Sequence, residues 1–308
     1  MKTAVVFPGQ GAQTRGMGKE FYDNFEAARE MFVSANNNSV NNRNYTELCF
    51  NGTEEELQST INTQPAIYIV NCVIYRLLKE KNITPVITGG HSLGEYSALY
   101  AAGVFDFETG LQLIEKRAAY MDECAREKVG AMAAVMGVDD FILREFCKES
   151  GGIVNPAGYN SPGQIVISGE AEAVKSVIEK CKGMQGTKCI ELKVSGGWHS
   201  ELMRPAQNKL AEEFAKIKFN SPEFPVVSNF TASAEKDPAI IKDALIKQLC
   251  EPVRWLQSVE FMTKEFGIQK FVEAGPGKVL TGLIKRIDKS AALFNVNSIE
   301  ALNGYVEN

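Results

Sequence analysis

The stretch Gly90-His91-Ser92-Leu93-Gly94 constrains this chain more than any other. An extended run, Thr84-Pro85-Val86-Ile87-Thr88, leads into it, and a helix-like run from Glu95 to Ala102 follows. A strand, a glycine-flanked serine and a helix together make a nucleophile elbow. The turn is tight enough to strain the serine backbone, and side chains at the flanking positions would collide there. The helix then directs its free N–H groups and positive dipole end at the place where an oxyanion would form beside Ser92. A chain built around such a turn needs a sheet beneath it, which points to an α/β fold.

Composition narrows the class of function. The chain has 308 residues, 44% hydrophobic and 23% charged, as a globular protein with a real core requires. Its formal net charge of -5 argues against nucleic acid as a partner. No apolar run approaches the ~20 residues that span a bilayer, and the run Ala4–Phe7 is too short for a signal peptide. Cysteines at 49, 72, 124, 147, 181, 189 and 250 form no C-x-x-C pair and fit no zinc spacing. They read as reduced, mostly buried thiols of a cytoplasmic protein, and no metal site is expected.

Along the chain, Ala4–Phe7 reads as a buried strand broken by Pro8-Gly9-Gln10-Gly11. That loop lacks the third glycine of a dinucleotide fingerprint, and Gly18-Lys19 lacks the rest of a P-loop. A loop with free backbone N–H groups at the carboxyl edge of a sheet remains. Lys19 to Asn36 reads as a helix, Asn36 to Asn44 as an asparagine-rich loop, and Gln64-Pro65-Ala66 opens an apolar helix through Leu78. Phe107 to about Lys128 is a long helix with Leu111, Ile114, Ala118 and Met121 as its core stripe. Beside that stripe lies Arg117, either snorkelling or paired with an acid, or held in a cleft to receive a carboxylate in the two-pronged way of guanidinium.

Residues 129–194 change rhythm to β-α-β-β-α-β, the ferredoxin-like pattern. They are expected to form a small subdomain inserted into a larger one made of residues 1–128 and 195–308. Beyond it, Phe224–Asn229, Phe271–Ala274 and Ala291–Val296 read as strands, and Ser298 onward as a short tail.

The chain has two histidines. His91 adjoins Ser92, and neighbours leaving a strand point in opposite directions. His199 lies in the bendable loop Ser195-Gly196-Gly197-Trp198-His199-Ser200, beside a tryptophan able to wall off water. His199 is therefore the expected general base and Ser92 the nucleophile. No acid between 93 and 198 stands out as a third triad member, so a backbone carbonyl is an alternative for orienting His199.

These residues resemble the malonyl-CoA:acyl carrier protein transacylases of fatty acid synthesis and the acyltransferase domains of polyketide synthases. The resemblance runs nearly end to end. It rests on Phe7-Pro8-Gly9-Gln10-Gly11-Ala12-Gln13, Gly90-His91-Ser92-Leu93-Gly94-Glu95-Tyr96, Lys116-Arg117 and Gly130-Ala131-Met132-Ala133-Ala134. It continues through Asn160-Ser161-Pro162-Gly163-Gln164, His199-Ser200-x-Leu202-Met203, Pro252-Val253-Arg254-Trp255 and Glu273-x-Gly275-Pro276-Gly277-Lys278. It implies an α/β-hydrolase-like large subdomain with a parallel sheet and the ferredoxin-like unit inserted. It also implies a seryl ester on Ser92, His199 as base with its ring held by the main chain near Gln248, and oxyanion N–H groups from Gln10 and Leu93. Arg117 would grip malonate, and Asn160 and Trp198 would touch substrate, the residues before His199 bearing on acyl-group size. Malonyl-CoA and an acyl carrier protein would be the partners of a monomer that needs no cofactor. Lys278, Lys285 and Arg286 are candidates for carrier docking. The rivals are a trans-acting polyketide acyltransferase, a serine thioesterase or other hydrolase, and a non-catalytic carrier scaffold.

Overall fold

The computed structural model describes residues 1–305. Five strands run parallel: β1 (Thr3–Phe7), β2 (Ile87–Gly90), β7 (Val226–Val227), β9 (Lys270–Ala274) and β10 (Ala292–Val296). With the antiparallel β8 (Ala234–Glu235) they form one sheet in the order β10-β9-β1-β2-β7-β8. β1 and β9 are buried along their whole length; β1 therefore reads as a near-continuous apolar run, whereas β9 buries Lys270 and Glu273 among its apolar residues. Sheet and helices enclose most of the apolar side chains, and the almost wholly buried helix Thr60–Glu80 lies at the centre.

The second sheet is antiparallel and contains β3 (Gly130–Met136), β4 (Val154–Ser161), β5 (Gln164–Glu170) and β6 (Lys188–Glu191) in the order β4-β5-β3-β6. Its two faces do different work, because successive side chains alternate. Ala133 and Val135 face the helices Asp140–Lys148 and Ala171–Lys182, where a separate core closes around Leu143, Ile167, Val177 and Ile178. Met132 and Ala134 face the other way and join the main core.

Several boundaries differ from the sequence reading. The single helix over 19–36 is two, Lys19–Asn24 and Glu26–Asn38, because Phe25 takes an extended backbone and packs its ring against the core from the corner. The strand over 224–229 shrinks to Val226–Val227, because Ser228 and Asn229 leave the ladder to make side-chain bonds. The tail from Ser298 contains a further helix, Ile299–Gly304, capped by the Ser298 hydroxyl. The last part of that tail, 306–308, lies outside the described residues.

The parallel strands β1, β2, β7 and β9 bring their carboxyl ends to one edge. Pro8-Gly9-Gln10, His91-Ser92, Ser228-Asn229 and Gly275-Pro276-Gly277 all leave the sheet there. Loops at such an edge are where open α/β sheets place their ligands.

Candidate active site

Ser92 occupies the left-handed backbone region, with φ of 53°. The glycines that flank it are required by contact. A Cβ on Gly90 would lie 2.1 Å from the Gly94 backbone, and one on Gly94 would lie 2.1 Å from the Phe7 carbonyl oxygen. The elbow is thus pressed against the end of β1, and only hydrogen side chains fit at both seams.

An account of the backbone N–H groups shows what the turn offers. Those of His91, Gly94, Glu95 and Tyr96 donate to Phe7, His91, Ser92 and Leu93 carbonyls, and that of Ser92 donates to the Asn229 side chain. Among the described residues Leu93 N–H has no acceptor, and neither has that of Gln10 on the neighbouring loop. Two unpaired donors from residues that line one cavity with Ser92 are the ingredients of an oxyanion hole.

His199 is buried and also left-handed, with φ of 59°. Its Nε2 lies 2.8 Å from Ser92 Oγ, and its Nδ1 lies 2.8 Å from the Gln248 carbonyl oxygen. A carbonyl only accepts, so Nδ1 carries the proton and Nε2 is bare toward Ser92, whose hydroxyl donates to it. Among the described residues no carboxylate takes the third place of a triad. Burial pushes the imidazole pKa down to about 3, and the nearby Arg117 charge adds to the fall. The loop that carries His199 is tied by Ser200, whose hydroxyl donates to the Gly197 carbonyl at 2.6 Å. His91 points elsewhere, as expected: its Nε2 is 2.9 Å from Asn160 Oδ1 and its ring packs near Trp255.

Arg117 is 1% exposed. Its Nη2 donates to Ser92 Oγ and to Gln248 Oε1, both at 3.0 Å, and its Nη1 donates to Gln64 Oε1. The Tyr96 ring lies under the guanidinium. Among the described residues no carboxylate forms an ion pair with it, so the snorkelling and salt-bridged alternatives both fall away. A buried cation whose partners are neutral amides and a hydroxyl is set to accept an anion.

Glu95, Gln64, Asn229 and the Gln248 side chain were not singled out in the sequence. Glu95 is buried, and burial raises its pKa to about 7 against the pull of bonds from Gln248 and Asn229. Gln248 Nε2 donates to Glu95 Oε2 at 2.7 Å and to the Ser92 carbonyl at 3.0 Å. One available signal was Glu95 as the sole charged residue of the otherwise apolar helix Gly94–Ala101.

Gln10, His91, Ser92, Leu93, Arg117, Asn160, Trp198 and His199 line one cavity of about 190 Å³. Its other walls are apolar: Met132, Val166 and Leu192 from the second sheet side, and Leu280 and Leu283 from the helix Val279–Ile287. A polar end that holds Ser92, His199 and Arg117, with an apolar approach, suits a carboxylate-bearing acyl group on a long arm.

A serine on a strand–turn–helix elbow, bonded to a histidine held by a carbonyl, and a parallel sheet with an antiparallel companion fit an acyl-transfer protein. Residues 4–302 match the acyl transferase domain model, and the chain belongs to that family. It is 41% identical over 307 residues to the malonyl CoA-acyl carrier protein transacylase of Escherichia coli (strain K12), covering 99% of this chain and 98% of that protein. The crystal structure of an acyl carrier protein S-malonyltransferase from Vibrio cholerae O1 biovar eltor matches with a TM-score of 0.93 and 40% identity, over 98% of this chain and 99% of the other. A malonyl-transacylase solved in complex with a type II PKS acyl-carrier protein matches with the same TM-score of 0.93 and 42% identity, over 98% of each chain.

Proposed function

We propose that this chain transfers the malonyl group from malonyl-CoA to the phosphopantetheine thiol of an acyl carrier protein, through an ester on Ser92. The observation that carries this reading is the convergence of two groups on one oxygen: His199 Nε2 at 2.8 Å and Arg117 Nη2 at 3.0 Å from Ser92 Oγ.

Ser92 Oγ attacks the thioester carbonyl as its proton passes to His199 Nε2, and the carbonyl oxygen becomes an oxyanion. The Leu93 and Gln10 N–H groups receive that charge; losing one such donor typically costs ~10²–10³ in rate. The intermediate collapses, the C–S bond breaks, and CoA leaves as a thiol with the proton from His199. Arg117 exchanges the Ser92 hydroxyl for the malonate carboxylate, which holds the acyl group in place. The carrier thiol then attacks the ester, gives its proton to His199, and Ser92 recovers it when the C–O bond breaks. This is ping-pong transfer. Each step balances with these groups, so no resident cofactor enters the proposal. Asn160 and Trp198 line the cavity as substrate contacts, and every group named comes from one chain, in keeping with a monomer.

The pathway we favour is fatty acid synthesis, with a polyketide pathway as the alternative, since a malonyl-loaded carrier serves both. Lys278, Lys285 and Arg286 are exposed along the helix that walls the cavity, and they supply positive charge for an acidic carrier. A cytoplasmic setting fits the seven free thiols.

Incubation with malonyl-CoA followed by intact-mass measurement tests the central step. The parent should gain one malonyl group and Ser92→Ala none; an adduct that persists in Ser92→Ala would sink the assignment. Arg117→Ala separates transfer of malonate from general ester hydrolysis. It should lose malonyl turnover by ~10²-fold or more while handling uncharged acyl groups at least as well. Untouched malonyl turnover in that variant would leave the hydrolase reading standing.

A further inference from the structure

Asn229 follows the carboxyl end of β7, is 1% exposed, and commits its side-chain amide to the elbow. Its Oδ1 accepts from the Ser92 N–H at 2.7 Å, and its Nδ2 donates to the Gly90 carbonyl at 2.6 Å. Ser92 N–H only donates and the Gly90 carbonyl only accepts, so the amide fits in one orientation. Its own backbone N–H donates to Glu95 Oε2 at 3.0 Å, the same oxygen that receives Gln248 Nε2. Glu95 therefore ties Asn229 to the residue whose carbonyl holds His199 and whose side chain holds Arg117.

Two features of the elbow call for such a brace. Ser92 is a non-glycine residue with φ of 53°, a conformation that persists only where surrounding bonds over-determine it. And the turn carries two adjacent N–H groups, those of Ser92 and Leu93. With the first taken up by Asn229, the second is left without an acceptor among the described residues.

We propose that Asn229 is a positioning residue for the nucleophile: its amide pins the Ser92 backbone and sequesters the Ser92 N–H, so that the elbow presents Leu93 N–H to the oxyanion. This rests on the reading of Ser92 as nucleophile given above. Asn229 touches no substrate. It acts through the shape of the turn.

The test compares full-length Asn229→Ala and Asn229→Leu. Alanine leaves room for one water, which can accept from Ser92 N–H and donate to the Gly90 carbonyl. Leucine fills the same space as asparagine and leaves both groups unpaired. The probe is an alkyl fluorophosphonate, which needs Ser92, His199 and the oxyanion donors but neither a carboxylate nor Arg117. Phosphonylation should slow by ~10-fold in Asn229→Ala and by ~10²–10³-fold in Asn229→Leu. With malonyl-CoA, kcat should fall in step, while KM stays within ~3-fold of the parent. A packing role reverses the order, the larger cavity doing the greater harm. Leucine no slower than alanine, or both variants within ~3-fold of the parent, overturns the proposal. If the leucine variant does not fold, the alanine variant decides: native circular dichroism with kcat within ~3-fold of the parent overturns it equally. A parent that is phosphonylated on Ser92 but takes no malonyl group would instead overturn the malonyl assignment, and Asn229 would be judged on phosphonylation alone.

Discussion

The pH behaviour of His199 follows from what surrounds it. As base it must be unprotonated, and burial with the Arg117 charge holds its pKa down at about 3. A depressed pKa keeps the neutral form through the weakly acid range. The acid limb of kcat/KM, which reports the free enzyme, should therefore fall well below the ordinary histidine value of about 6.5. Bound malonate neutralises Arg117 and removes part of the cause. The limb of kcat, which reports the complex, should then lie at higher pH than that of kcat/KM. Rate profiles from about pH 2.5 to 8 read both limbs, and a kcat limb at or below that of kcat/KM would contradict the placement of Arg117 beside the base. Ser92, His199 and Arg117 were legible in the sequence because their types are rare in their settings: one serine between paired glycines, one histidine of two in a bendable loop, one cation in an apolar stripe. Gln64, Glu95 and Asn229 were not. Their roles depend on partners far along the chain, up to 139 residues away for Asn229, and a polar residue at the end of a strand or helix looks like surface until the fold buries it.

At the scale of elements, the seam between the helix Gly94–Ala101 and β1 decides whether the elbow can form. A Cβ at position 94 would lie 2.1 Å from the Phe7 carbonyl oxygen, and that oxygen is fixed because it also accepts His91 N–H at 3.0 Å. Gly94→Ala must push the helix off the strand. It should destabilise the protein by about 1–3 kcal/mol, the usual cost of overpacking, and lose most of the seryl-ester formation. Gly282, in the helix Val279–Ile287, is the control: a Cβ there meets open space. Gly282→Ala should stabilise by up to about 1 kcal/mol through helix propensity and unfolded-state entropy, with ester formation unchanged. Urea unfolding reads both, and equal effects at the two positions would refute the seam. A strand such as β1 was readable because apolar side chains cover both faces. The kink at Phe25 and the strand β8 were not, since a two-residue return strand and a corner set by ring packing leave no period to follow.

Across the whole molecule, the cavity lies where the carboxyl edge of the parallel sheet meets the apolar face of the antiparallel one, and the helix Val279–Ile287 closes its side. Leu280 and Leu283 face the cavity, while Lys285 and Arg286 are exposed in the last turn. Arg286 also donates to Gln164 Oε1 at 3.1 Å, reaching the turn between β4 and β5 and so bridging the two sheets at the rim. The chain as a whole carries a charge of -5, so docking of an acidic carrier needs a local basic patch such as this one. The two half-reactions separate this effect from chemistry, because CoA loading does not need the carrier. In Lys285→Glu combined with Arg286→Glu, the malonyl ester on Ser92 should form within ~2-fold of the parental rate, while KM for the carrier protein rises by ~10-fold or more at low salt. Adding salt to about 0.5 M should shrink that gap, as exposed charges are screened beyond a few ångströms. An unchanged carrier KM at low salt would move the docking face elsewhere on the rim; a slowed first half-reaction would mean instead that Arg286 acts by holding the cavity wall through Gln164.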